Sequence, residues 1–193
     1  MGDTKSTTVG ECIKALRQDS GLTLQQLADR TGYTSALLNQ VENHLVSPPL
    51  GSLATIAHAL GVSIGELWGE TSRDPFTIVR QGDRRQVSRL ASKEGVSYGY
   101  AYQSLGFGKK NRHLEPFLVT LEPPTVASRR PSVHEGEEFL FVLSGRMEVT
   151  LAGHSDVLEP GDSIQYDASV PHLVRCVDAE PTQILAVIWS PES

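Results

Sequence analysis

GLTLQQLADRTGYTSALLNQVEN, residues 21–43, decides the fold of the first third of the chain. Thr23 is placed to cap a helix over Leu24–Thr31, whose Leu24, Leu27 and Ala28 share one face. Gly32 supplies the left-handed residue that closes that helix, and a tight turn follows. Thr34 then caps a further helix running to about Asn43. Leu37, Leu38 and Val41 form its inner stripe, which leaves Ser35, Ala36, Asn39 and Gln40 on the opposite face.

The same spacing extends outward. Upstream, Val9–Gln18 carries Cys12, Ile13 and Leu16 on one stripe, and Gly21 ends it. Downstream, Pro48 and Pro49 break the chain, Ser52 opens a helix through Leu60, and Ser63 opens another through Trp68. Residues 8–69 therefore read as five helices. After Glu70 the pattern changes to alternation punctuated by Gly, Pro and Asp. Strands are expected at Thr77–Arg80, Val96–Leu105, Phe117–Leu121, Glu138–Leu143, Met147–Leu151, Ser163–Tyr166, His172–Cys176 and Gln183–Trp189. Many short strands without intervening helices imply a closed all-β barrel or jelly roll. The expected fold is α + β with two domains: a five-helix unit over 1–70, a linker at 71–76 at the junction GETSRDP (69–75), and a barrel over 77–193.

Composition narrows the function classes. The hydrophobic share of 39% with 21% charged residues suits two buried cores within 193 residues. No apolar run approaches the roughly 18 to 20 residues that span a bilayer, and the opening MGDTKSTTVGECIK lacks the features of an export signal. A cytoplasmic protein with no membrane partner is the expectation. Cys12 and Cys176 fall in different halves, outside any zinc-like spacing, and read as reduced packing residues. The net charge is −6, and residues 1–70 carry Lys5, Lys14, Arg17 and Arg30 against Asp3, Glu11, Asp19, Asp29, Glu42, Glu66 and Glu70. That balance opposes a phosphate backbone.

From Ile13 to Trp68 the sequence resembles the Xre and lambda-repressor helix-turn-helix family. The likeness is carried by GLTLQQLA, TGYT, the Leu-x-Gln-x-Glu of the third helix, and ALGVS. It implies a double-stranded DNA operator as partner, with the third helix in the major groove and the second helix abutting phosphate. Gln25 would then touch phosphate, and Thr34, Ser35, Ala36, Asn39 and Gln40 would face bases. Asn and Gln suit adenine edges, because each amide donates and accepts together. The family resemblance also implies a homodimer, in which two weak half-site contacts add through effective concentration.

Residues 110–189 resemble the cupin superfamily, the double-stranded β-helix. Two blocks carry this: PSVHEGEEFLFVLSGRMEV at 131–149 and PGDSIQYDASVPHLVRC at 160–176. The resemblance implies that His134, Glu138 and His172 converge as metal ligands. Two imidazoles and a carboxylate leave open positions suited to Fe(II), and Zn or Mn are the other divalent candidates. The position two before His134, usually a further histidine in the family, is Ser132, so the set has three protein ligands. A second reading has both histidines lining a polar pocket that binds an organic effector directly. Glu137, the neighbour of Glu138, should point outward.

Tyr98, Tyr100 and Tyr102 alternate, so period two puts all three on one face. They either offer hydroxyls to a small-molecule effector at the barrel mouth or pack the barrel. Lys109, Lys110, Arg112 and His113 form the densest basic cluster, a solvated loop or a guide for an anion. Arg129 and Arg130 are further candidates for an anionic effector, with Glu115 as a structural partner.

The whole architecture is also similar to that of the hydroxypropylphosphonate epoxidases, non-haem iron enzymes, through HEGEEFLFVLSG and YAYQSL. That resemblance implies the same ligand triad, with Tyr100 and Tyr102 at the substrate. Two departures weaken it: the family's lysine from the helical domain aligns with Gly21, and its asparagine before the first metal histidine aligns with Pro131. The sequence therefore favours a DNA-binding transcription regulator whose cupin senses a small molecule. An iron oxygenase or epoxidase is the alternative.

Overall fold

The computed structural model describes residues 8–46, 48–68, 74–88, 100–109, 112–123 and 131–189, without the side chains of 68 and 85–88. Four α-helices come first: α1 (Val9–Asp19), α2 (Leu24–Thr31), α3 (Ser35–Glu42) and α4 (Leu50–Leu60). Thr23 and Thr34 cap α2 and α3 by accepting from the backbone N–H of Gln26 and Leu37. The expected fifth helix is instead a 3₁₀ turn, Ile64–Trp68. Its five residues hardly exceed one helical turn, where i→i+3 bonding is common. Helix α4 begins at Leu50 rather than Ser52, because Pro49 fixes an extended φ of −53° ahead of the first turn and needs no N–H partner there.

Ile13, Leu27, Leu38, Leu53, Ile56 and Leu67 form the fully buried centre of the helical unit. Beneath them lies an ion pair. Arg17 Nε donates to Glu42 Oε1 at 2.6 Å and Nη2 to Oε2 at 3.0 Å, while Nη1 donates to the carbonyl of Leu22 at 2.7 Å. This forked contact ties α1 to the end of α3 and to the loop between α1 and α2. Both side chains are almost fully buried, so neither faces solvent or phosphate.

Nine strands follow. β1 (Arg85–Ser88), β2 (Tyr100–Ser104), β3 (Leu114–Leu121), β4 (Glu137–Ser144), β7 (Ser163–Asp167) and β9 (Thr182–Trp189) form one sheet in the order β1-β2-β3-β9-β4-β7. β5 (Met147–Leu151), β6 (His154–Leu158) and β8 (His172–Cys176) form a second, ordered β6-β5-β8. All pairs are antiparallel, and alternate residues of β3, β4 and β9 are buried, as period two requires. The turn from β4 to β5 uses Gly145 at φ +75°, where an added Cβ would also lie 2.7 Å from Thr182 Oγ1.

One expected strand is absent and two observed strands were not expected. Thr77–Arg80 joins no sheet: Ile78 is exposed, and Thr77 Oγ1 donates to the carbonyl of Phe107. β1 and β6 were not legible. β6 is exposed at its first four positions and so lacks the alternation that marks a strand. Residues 71–73 of the expected linker lie outside the described residues.

Replacing Glu42 by Ala leaves the Arg17 guanidinium buried without its carboxylate. Such uncompensated charges cost about 3 to 5 kcal/mol. Urea unfolding of the full chain should show that loss, whereas Lys14→Ala, at an exposed position of α1, should cost under about 1 kcal/mol.

Candidate functional site

His134 lies in the segment that leads into β4, and two backbone bonds place it. Ser132 pairs with His172 through N–H to carbonyl bonds of 2.7 and 3.0 Å, and His134 N–H donates to the carbonyl of Ala168 at 3.0 Å. His172 opens β8, opposite Leu151 of β5 on one side and Ser132 on the other. Glu138 faces inward from β4, directly across from Tyr166 of β7. One ligand atom from each of His134, Glu138 and His172 lies within 4.8 Å of the others, and all three residues are buried. The sequence-predicted triad thus converges inside the barrel.

Hydrogen bonding tests whether a metal fits. His134 Nδ1 contacts the carbonyl of Glu135 at 3.1 Å, and its Nε2 contacts Glu138 Oε1 at 2.8 Å. A neutral imidazole has one N–H, yet both ring nitrogens here meet acceptors, so a positive centre, proton or metal, belongs at Nε2. His172 Nδ1 meets the carbonyl of Val170 at 2.9 Å, which fixes the tautomer and leaves the Nε2 lone pair facing Glu138 Oε1 at 3.8 Å. Burial holds the His172 imidazolium below its ordinary range, more than the Glu138 carboxylate raises it. A lone pair aimed at a carboxylate oxygen is stable around a cation. The two carbonyls orient the rings as outer partners of metal-bound histidines do. The donor set therefore suits a divalent ion.

Tyr166 is a functional residue the sequence reading missed. Its hydroxyl donates to Glu138 Oε2 at 2.5 Å, leaving Oε1 to the histidines. Burial, then the Glu138 carboxylate, pushes that hydroxyl far above its ordinary value, so it remains a donor. Burial also pushes Glu138 upward. The hydrogen bond and charge of His134, with His172 and Tyr166, outweigh it and hold the carboxyl below its usual range. No local signal marks Tyr166, because its role depends on the β4–β7 register.

Tyr100 and Tyr102 stack at 6.1 Å between ring centroids and line a cavity of about 40 Å³ beside Glu138 and His172. Their hydroxyls donate to main-chain carbonyls, Tyr100 to Val174 and Tyr102 to Pro48, each at 2.8 Å. Burial, then Glu138, pushes the Tyr100 hydroxyl up to about 12. Tyr100 and Tyr102 thus wall the cavity, and their protons are already donated to the fold. Tyr98, Lys110, Arg129 and Arg130 lie outside the described residues. Glu115 pairs with Arg112 at 2.9 Å. Glu137 points outward and accepts from Gln165.

On the helical unit, Ala36, Asn39 and Gln40 are exposed along α3. Thr34 is occupied as the α3 cap. Ser35 donates to Gln25 Oε1 at 2.8 Å, and Gln25 Nε2 donates to Asp29, so these side chains brace the turn between α2 and α3. Asn39 accepts from Asn43 one turn on.

Residues 13–67 match the Helix-turn-helix family model and residues 117–188 the Cupin domain model. The chain belongs to the family that joins an Xre-type helix-turn-helix to a cupin. Within this helix-turn-helix cupin family, the HTH-type transcriptional regulator PuuR of Escherichia coli (strain K12) is 27% identical over 165 residues, 84% of each chain. The (S)-2-hydroxypropylphosphonic acid epoxidase of Streptomyces wedmorensis is 30% identical over 182 residues, 89% of this chain and 91% of the enzyme. The crystal structure of an HTH_3 family transcriptional regulator from Vibrio cholerae superposes with a TM-score of 0.65 at 24% identity, covering 96% of this chain and 97% of that one, which supports the shared fold. Among the described residues no helix is long and apolar enough to cross a membrane.

Tyr166→Phe should keep the barrel and weaken divalent-ion binding about 10- to 100-fold, the range for losing an outer partner of a ligand. Glu138→Gln should abolish binding on calorimetric titration with Mn²⁺ or Zn²⁺.

Proposed function

We propose that this protein is a DNA-binding transcription regulator whose cupin holds a divalent metal on His134, Glu138 and His172 and binds a small effector beside it. The observation that carries the reading is the free outer face of α3, where Ala36, Asn39 and Gln40 stay exposed while the rest of the helix is committed to packing and capping. In the proposed complex Asn39 and Gln40 read base edges, and Gln25 and Ser35 approach phosphate at the amino ends of α2 and α3. Fe(II), Zn and Mn all suit two imidazoles and a carboxylate, and Fe(II) suits the open positions best.

The acidic balance of residues 1–70 argues that few cations meet phosphate, which calls for two half-sites. A homodimer supplies them. Support for pairing comes from the outer face of the large sheet, where Leu114 (58% exposed) lies opposite Trp189 (40% exposed), with Val187 and Phe139 in the next row. The cytoplasm is the fitting compartment for a DNA reader with two free buried cysteines.

The epoxidase reading is supported by the His134, Glu138 and His172 triad and by the 30% identity to the Streptomyces wedmorensis enzyme, and the described cavity lining argues against it. Its contribution from the helical unit is Pro49, Leu50 and Gly51, which offer no cation to a phosphonate.

Gel-shift titration on the DNA upstream of the gene should show retention at low salt. Asn39→Ala and Gln40→Ala should each weaken specific binding by about 1 to 3 kcal/mol while leaving non-specific binding unchanged. No retention of any duplex, together with oxygen consumption by the iron-loaded protein, would reverse the assignment.

A further inference from the structure

The cavity has walls of two kinds. On the barrel side, Val119, Leu121, Leu140 and Ile184 project from strands held by continuous ladders. The roof belongs to the DNA-reading unit: Pro49, Leu50 and Gly51, at the amino end of α4. Two hydrogen bonds link this roof to the barrel, Tyr102 Oη to the carbonyl of Pro48 at 2.8 Å and Thr55 Oγ1 to the carbonyl of Val133 at 3.3 Å. Contact between them is close. A Cβ added at Gly51 would lie 2.7 Å from His134 Cδ2 and 2.8 Å from Nε2, the nitrogen that faces the triad. Glycine inside a helix costs about 0.5 to 1 kcal/mol relative to alanine, and this approach is what requires it.

Size and charge restrict what enters. A space of about 40 Å³ holds roughly three water-sized groups, at about 10 to 15 Å³ each. A divalent ion on one carboxylate and two neutral imidazoles leaves a single local positive charge. Among the described lining residues Glu138 supplies the only carboxylate, and none is a lysine or arginine. One anionic oxygen head on the metal completes that balance, since carboxylates are ordinary ligands of such ions. The Tyr100 and Tyr102 hydroxyl protons are already donated, and the remaining walls are largely aliphatic, so the rest of the ligand must be apolar.

We propose that the cavity takes a short aliphatic carboxylate, head on the triad metal and tail against the strands, and that α4 is the wall that yields as the tail lengthens. Occupancy then moves the amino end of α4, which packs on α2 and so bears on the reading helices. The proposal rests on the metal reading given above and adds the ligand class and the route by which it reaches the DNA-reading unit.

Full-length protein loaded with Mn²⁺ or Zn²⁺ is titrated with acetate, propionate, butyrate and hexanoate, with propan-1-ol and propylamine in parallel. Affinity should rise about three- to fourfold per methylene until the cavity is filled, and propionate should bind at least tenfold tighter than propylamine. Hexanoate should speed hydrogen exchange at amides 52–55, where acetate does not. Gly51→Ala should show that faster exchange without any acid. Tyr102→Phe, which keeps the ring and loses the bond to Pro48, should do so to a lesser degree. Uptake of metal without acid binding, affinity independent of chain length, tighter binding of the amine, or exchange at 52–55 unchanged by hexanoate and by Gly51→Ala would each overturn the inference while leaving the metal reading intact. Failure to take up either ion would overturn both.

Discussion

A buried carboxylate organises this molecule. Glu138 sits in an apolar barrel, where an isolated ionised group would be unstable, and it persists because four groups surround it: two imidazoles, a phenol, and the strand that presents it. Each of those partners is positioned by a separate piece of sheet. His134 is set by the bond to Ala168, His172 by its pairing with Leu151 and Ser132, and Tyr166 by the β4–β7 register. Both sheets must close correctly before the charge is satisfied, so barrel topology and site chemistry depend on each other.

The helical unit is not a separate bead attached to that barrel. Its fourth helix lies over the cavity, and a tyrosine from β2 reaches up to the carbonyl of Pro48. The consequence is that one short segment, 48–55, belongs to both units at once. It completes the enclosure around the triad, and the helix it opens packs on α2, which in turn packs on α3, the helix that carries Asn39 and Gln40. A structure of this kind passes a change in the barrel to the reading face through a single rigid element rather than through a flexible tether.

Much of this was legible in the sequence, and the parts that were not share a cause. Thr23, Gly32 and Thr34 act through neighbours a few residues away, so the helix boundaries around the turn could be read directly. The triad was read through resemblance, since nothing in the spacing of His134, Glu138 and His172 alone says that β4, the segment ahead of it and β8 meet. Tyr166, the Arg17–Glu42 pair and the α4 roof depend on contacts between residues 25 or more apart, which periodicity does not encode. Ser52 misled because it resembles a helix cap, whereas Pro49 had already set the backbone. Gly51 was the one available hint: a glycine one position inside a helix implies that something comes close to it.

The Arg17–Glu42 pair constrains how this surface can change. It withdraws one anion and one cation from solvent together, so the acidic character of the helical unit is unaltered by it, yet neither partner is available for adjustment. A lineage adapting toward tighter operator binding would have to place new positive charge on the exposed faces of α2 and α3, because Glu42 is fixed by what it supports inside. Electrostatic drift in this unit is thereby channelled to its outside, and the interior keeps the same two charges whatever sequence of DNA is read.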